Sequence, residues 1–185
     1  MSGKMGTMQE PLNNSKGCGG VMRTAPIGLF YRKEEAFKLG CESAAIKHGH
    51  PSGYLSAGAL SFIIAAILEG LDLETAVEQS IEELKLYPSN KECCELIEKA
   101  LTLAKSNTPD IQAIESLGEE ALVISVFCAL KYQTDFKKAV ITAVNQNGDS
   151  DSTGAITGNI LGAYLGVEEI PENWAKEVEL SQELT

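Results

Sequence analysis

The sequence predicts an all-α fold, a compact multi-helix single domain, and three observations carry that prediction. Apolar residues recur at three- and four-residue spacings along most of the chain. No segment of useful length alternates with the two-residue period of a strand. Aromatics make up only 6% of the residues, so Ala, Leu and Ile carry most of the 44% apolar fraction. Small aliphatic side chains suit closely packed helices better than a sandwich of sheets. At 185 residues the chain is long enough for one domain with its own core.

The elements follow in order. Residues 1–20 read as loop, being rich in Gly, Ser, Asn and Lys without periodicity. From Lys33 to about His48 the pattern is helical: Phe37, Cys41, Ala44 and His48 share one face. His48-Gly-His-Pro51 stops that helix and leaves His50 in a loop. Residues 54–69 form a helix apolar on nearly every side and therefore central. Its apolar run, Leu55 to Leu68, is broken by Ser and Gly and reads as too short to span a bilayer.

Asp72 caps the next helix, with Leu73, Val77, Ile81 and Leu84 inward and Pro88 at its end. Ser89-Asn-Lys-Glu92 has the form of a capping box opening a helix to about Lys105. Pro109-Asp110 starts a short piece, and Glu119 to Tyr132 is a strongly apolar, buried helix. Thr134 or Asp135 caps another, which turns Phe136, Ala139, Val140, Ala143 and Val144 to one side. A helix starting near Ser152 carries Gly154, Gly158, Gly162 and Gly166 on one face, as if its backbone were pressed against a neighbour. Pro171 suits the first turn of a final acidic helix. Seven or eight helices are expected.

Charge and cysteine usage narrow the function. With 15 basic against 26 acidic residues the net charge is -11, and no Lys/Arg cluster offers a phosphate footprint for nucleic acid. The cysteines, Cys18, Cys41, Cys93, Cys94 and Cys128, include no CxxC pair and no zinc spacing with histidine. They read as free thiols in a reducing, cytoplasmic setting. Neither a nucleic acid nor a membrane is expected as a partner.

Three segments carry potential chemistry. Gly148-Asp149-Ser150-Asp151-Ser152-Thr153-Gly154 packs two carboxylates and three hydroxyls into a loop-to-helix junction, the oxygen donors a hard cation needs. Asp149, Asp151 and Ser152 can point to one centre; equally, Asp151 or Ser152 can simply cap the helix. An EF-hand is excluded because its twelfth position falls on Ile160. The nucleophile loop of haloacid-dehalogenase-type phosphatases is disfavoured because the segment follows polar Val144-Asn-Gln-Asn-Gly148 rather than a buried strand. In Lys16-Gly-Cys-Gly-Gly-Val-Met-Arg23, close glycines let backbone N–H groups approach a ligand, or simply form a flexible turn; no Walker lysine follows. In His48-Gly-His50 the two-residue spacing rules out a helical zinc pair, and His48 can equally be a packed or capping residue.

Taken together and in this order, these segments resemble the ADP-ribosylglycohydrolase family. The resemblance rests on Lys16 to Pro26, on His48-Gly-His-Pro-Ser-Gly-Tyr-Leu55 and on Gly148 to Ile156. It implies a magnesium-dependent hydrolase that removes ADP-ribose from a modified protein side chain or related acceptor by cleaving an N- or O-glycosidic bond at the ribose anomeric carbon. It implies Asp149, Asp151 and Ser152 as metal ligands and Gly19, Gly20, Val21, Met22 and His48 as ADP-ribose contacts; it assigns no catalytic residue. The family site holds two Mg²⁺ and draws further ligands from a preceding Thr-Asp-Asp segment. No such triplet precedes Gly17. The expectation is therefore a 1–185 domain without that segment, holding at most one ion weakly. The alternative is a chain that binds ADP-ribose without hydrolysing it, or an inactive fragment. The acceptor and the oligomeric state are left open.

Overall fold

The computed structural model describes residues 5–179. Within them the chain forms ten α-helices and two short 3-10 turns: α1 Ala25–Phe30, α2 Lys33–Ala45, α3 Pro51–Leu68, α4 Leu73–Leu84, α5 Lys91–Ala104, α6 Asp110–Leu117, α7 Ala121–Lys131, α8 Phe136–Val144, α9 Ser150–Leu165 and α10 Glu172–Glu177. No strand occurs among the described residues.

Two apolar helices organise the packing. Helix α3 is buried from Ser52 to Ile67 and touches α1, α2, α4, α5 and α9. Helix α7 is buried from Ala121 to Ala129 and touches α4, α5, α6, α8 and α9. Helices α5 and α9 bridge the two. Amphipathic helices cover the remaining sides: Leu73, Val77, Ile81 and Leu84 turn inward on α4 as the sequence pattern puts them, and α5 buries Ile97 and Leu101. Each such aliphatic side chain contributes roughly 1.5–3 kcal/mol on full burial. Helix α3 is, by length and composition, able to cross a membrane, contrary to the sequence expectation; in the fold other helices cover 89% of it.

Helices α2 and α3 cross closely, with glycine at the contact. A Cβ on Gly40 would stand 2.6 Å from Ser61 Oγ and 2.8 Å from Ala57 O, and one on Gly58 would meet Cys41 Sγ and Phe37 O. The glycine face of α9 behaves differently. Only Gly154 is tight, 2.7 Å from Val144 Cγ1; Gly158 reaches Phe136 Cζ at 3.9 Å, and Gly162 has nothing within 4 Å among the described residues. Gly166 has φ +87° and ends the helix, as a C-terminal glycine does. The expectation of a backbone pressed against a neighbour holds for one turn of α9.

Boundaries differ from the sequence reading in instructive places. Helix α2 ends at Ala45, so His48 lies beyond it in the turn, its N–H on Ala44 O at 2.9 Å. Helix α3 starts three residues early, at Pro51, with His50 as its N-cap: His50 Nδ1 accepts from the Ser52 N–H at 3.1 Å. Asp72 and Asp135 cap α4 and α8 as expected. The capping box at Ser89–Glu92 does not form. Ser89 takes φ +61°, Asn90 is the N-cap but turns its amide back to Tyr87 O instead of capping the helix, and Glu92 is engaged elsewhere. Helix α1 is too short to show a period, and Pro26 stands inside its first turn, where a missing N–H costs nothing.

Candidate functional site

The loop Ser15–Met22 meets the N-terminal ends of α3, α5 and α9, through His50, Glu92 and Asp149 respectively. Helix α9 is placed first. Thr153 Oγ1 donates to Ala143 O at 2.7 Å, tying α9 to α8, and Ser125 Oγ donates to Thr153 O at 3.1 Å, tying it to α7. These bonds bury Ser152 and leave Asp149 and Asp151 exposed at the entry to the helix.

Helix α9 begins at Ser150, two residues earlier than expected, and Asp149 is its N-cap, with Oδ1 accepting from the Ser152 N–H at 3.4 Å. Asp151 Oδ1 accepts from the same N–H at 3.0 Å. The Ser152 hydroxyl lies 2.8 Å from Asp149 Oδ2, 3.2 Å from Cys18 Sγ and 3.0 Å from Met22 Sδ. With one hydrogen to give, its charge-assisted bond to the carboxylate is the strongest of the three. The Cys18 thiol donates to the same Oδ2 at 2.7 Å. The carboxyl of Asp149 is pushed down to about 2, first by its hydrogen bonding with Asp151, then by the Cys18 thiol and by Ser152. Burial, and then Asp149 itself, hold the Cys18 thiol above its usual range.

The loop is fixed from its other side by the His48 turn. Asn13 Oδ1 accepts from the N–H groups of Ser15 (3.0 Å) and Gly49 (3.2 Å), and Asn13 Nδ2 donates to Lys47 O at 2.9 Å. The His48 ring lies against the loop, with Nδ1 3.1 Å from Ser15 Oγ. A Cβ on Gly17 would stand 2.7 Å from His48 Cε1, one on Gly20 3.0 Å from His48 Cδ2 and 2.9 Å from Ala44 Cβ, and one on Gly19 3.6 Å from His48 Nε2. None of these three glycines has positive φ. At Gly17 and Gly20 the residue type therefore answers a demand for room. Burial, with Arg23 next, lowers the His48 pKa from its ordinary value.

At the third corner, Lys16 Nζ pairs with Glu92 Oε1 at 2.6 Å, and Ser52 Oγ donates to Glu92 Oε2. Lys16, then Ser52, hold the Glu92 carboxyl below its usual range. Burial raises that of Glu120, which precedes α7. An open cleft of about 780 Å³ runs beside this corner between His50, Ser52, Ser89 and Glu92. On the far side of Gly148, a recess of about 420 Å³ lies between Gly118, Glu119 and the Asn145–Gly148 turn.

Asp149, Asp151, Ser152, Cys18 and Met22 thus share one corner, and His48 supports the loop from behind. Sequence reasoning missed Ser15, Lys16's partner Glu92, and the role of Cys18; only the spacing of glycines around Cys18 hinted at it. Asp149, Asp151 and Ser152 offer oxygen, the donor type a hard cation takes, and magnesium takes six in all. The two sulfurs beside them are poor magnesium ligands. Among the described residues no three His, Cys, Asp or Glu side chains form a metal-holding group.

A family described as ADP-ribosylglycohydrolase matches residues 2–185. A protein of Archaeoglobus fulgidus, itself uncharacterised, is 31% identical over 177 residues, covering 90% of this chain and 56% of its own length. The ADP-ribosylhydrolase ARH3 of Bos taurus is 23% identical over 200 residues, covering 89% of this chain and 54% of its own. The ADP-ribosylarginine hydrolase Tri1 of Serratia proteamaculans is 26% identical over 160 residues, covering 85% and 41%. The chain spans about half the length of the curated relatives it matches.

Proposed function

The chain belongs to the ADP-ribosylglycohydrolase family, and from that premise we propose that it serves to remove ADP-ribose from a modified protein side chain or related acceptor, with magnesium bound at Asp149, Asp151 and Ser152. The observation that carries this reading is the meeting of the glycine loop with the carboxylate turn. Cys18 and Asp149 are 131 positions apart and in hydrogen-bond contact, so a ligand on the loop lies beside the oxygen donors. The names of the relatives support the substrate class: one is an ADP-ribosylhydrolase, another acts on ADP-ribosylarginine.

In this reading the residues divide the work. The backbone of Gly19, Gly20, Val21 and Met22, with His48 beside it, holds ADP-ribose. The helix N-termini that open on the loop favour the negative pyrophosphate. Asp149 is ionised throughout the physiological range and needs no proton removed before it takes a cation. Magnesium, when bound, supplies charge stabilisation and orients a water and the ribose hydroxyls. Ser152, buried and anchored by its neighbour Thr153, keeps its hydroxyl fixed at the turn.

Calorimetric titration with Mg²⁺, comparing the chain with Asp151→Ala, tests the metal assignment. Weak binding that the substitution abolishes is the expected result; equal binding by both proteins removes these ligands from the reading. Release of ADP-ribose from an ADP-ribosylated protein is expected to be slow, because three oxygen ligands on one turn leave half of a six-coordinate ion's positions to water.

A further inference from the structure

We propose that Ser15 and His48 are a positioning pair for the glycine loop: the imidazole is the template on which Gly17–Gly20 is wound, and Ser15 fixes its tautomer so that Nε2–H faces the loop at Gly19.

The hydrogen bonds decide the tautomer. The Gly17 N–H donates to Ser15 Oγ at 3.1 Å, which occupies one lone pair of that oxygen. The same Oγ lies 3.1 Å from His48 Nδ1, the one acceptor for its own hydrogen among the described residues. Donation from Ser15 to Nδ1 satisfies every group; donation from an Nδ1–H would leave the hydroxyl hydrogen without a partner. A neutral ring then carries its proton on Nε2. Burial and the nearby Arg23 favour that neutral form.

The pair is held in register without the ring. His50 N–H donates to Ser15 O at 3.2 Å, and Asn13 Oδ1 clips Ser15 N–H and Gly49 N–H together. The geometry is therefore built into two chain segments rather than resting on one rotamer. The glycines record the same fit: Gly17 and Gly20 leave room for ring edges that a Cβ would strike, whereas Gly19 stands 3.6 Å from Nε2, an ordinary contact. Among the described residues the Ser15 hydroxyl hydrogen-bonds with His48 and Gly17 and with neither Asp149 nor Asp151.

The ring nitrogens test this directly by ¹⁵N NMR on the full, ligand-free chain. The sequence has two histidines, and His50 is an internal standard because its Nδ1 also accepts a hydrogen bond, from the Ser52 N–H. Near neutral pH, His48 is expected to show a bare Nδ1 and a protonated Nε2, with His48→Gln assigning the signals. Ser15→Ala should move the His48 nitrogens towards a tautomer mixture and shift the Gly17, Gly19 and Gly20 amides, leaving His50 unchanged. Ser15→Thr, which keeps the hydroxyl, should restore the native pattern. A proton on His48 Nδ1, or a His48 ring indifferent to Ser15→Ala, overturns the pair.

A last arm rests on the functional reading above. Free ADP-ribose titrated into the same samples should bind Ser15→Ala about tenfold more weakly than the unsubstituted or Ser15→Thr chain, the worth of one well-placed hydrogen bond. Unchanged affinity despite a shifted tautomer would overturn the positioning role. Failure of the unsubstituted chain to bind ADP-ribose would count against the functional reading, while the ring nitrogens would still decide the pair.

Discussion

The two sides of the site are built by opposite means. The glycine loop is limited by space: His48 and Ala44 fill the room beneath Gly17 and Gly20, and a single methyl group is too much. The Asp149–Ser152 turn is limited by charge and hydrogen bonds: its carboxylates stand in solvent and are organised by a helix N-terminus, a thiol and a hydroxyl. A packed wall tolerates changes of charge better than changes of volume, and an exposed polar turn does the reverse. The site therefore has a side limited by packing and a side limited by hydrogen bonding.

The largest effect should come from overfilling the packed side. Gly17→Ala puts a methyl group 2.7 Å from His48 Cε1, and overpacking of this kind costs about 1–3 kcal/mol. Urea unfolding measures it, and most of the loss should vanish in the Gly17→Ala/His48→Ala double variant. An additive double variant would show that His48 is not what the glycine makes room for.

Next comes the polar side. Asp149→Ala removes the α9 N-cap and should cost about 1 kcal/mol. Asp149→Asn keeps the capping oxygen, so it should unfold close to the unsubstituted chain yet lose Mg²⁺ binding. Equal destabilisation by Asn and Ala would mean that the charge, rather than the cap, stabilises the turn.

Acid should separate the two sides. The His48 pKa is depressed, so its contribution is complete above the unfolded value near 6.5 and is lost as the pH falls through the lower folded value. The Asp149 pKa is also depressed, from 3.8 to about 2, so its contribution is complete above 3.8 and fades as the pH falls through about 2. Amide spectra recorded against pH should show the loop responding in mild acid and the α9 turn only in strong acid. Simultaneous responses would mean that the two sides are one cooperative unit.

The smallest effect, and the only gain, is expected at Gly162→Ala on α9. Nothing among the described residues lies within 4 Å of the added methyl group, and removing a mid-helix glycine is worth roughly 0.5–1 kcal/mol. Gly154→Ala, facing Val144 Cγ1 at 2.7 Å, should lose stability instead. A higher midpoint for the first and a lower one for the second would show that identical spacing along a helix hides unlike surroundings.

Much of the fold was legible because its causes are local. Asp72 caps as its sequence context says, Asp135 is the one of the two candidates Thr134 and Asp135 that caps α8, and the apolar patterns read at residues 54–69 and 119–132 mark the two buried helices to within a few residues. The capping box at Ser89–Glu92 shows where local reasoning stops. Glu92 has the right spacing from Ser89, but Lys16, distant in the chain, and Ser52 outbid the Ser89–Asn90 backbone for its carboxylate. Likewise the donors Asp149, Asp151 and Ser152 were legible as oxygen chemistry, while the Cys18 and Met22 sulfurs beside them were not.

What the amino-acid order determined by itself was therefore periodic or local: which segments coil, which helices go inside, where aspartates cap, and where oxygen-bearing side chains cluster. The tertiary structure alone decided what faces what. It set His48 against Gly17 and Gly20, Glu92 against Lys16, and Cys18 against Asp149. The physical reason is range. Helix periods and caps act within about four residues of the backbone, whereas steric fit and paired charges depend on distances in space that many helices must jointly set.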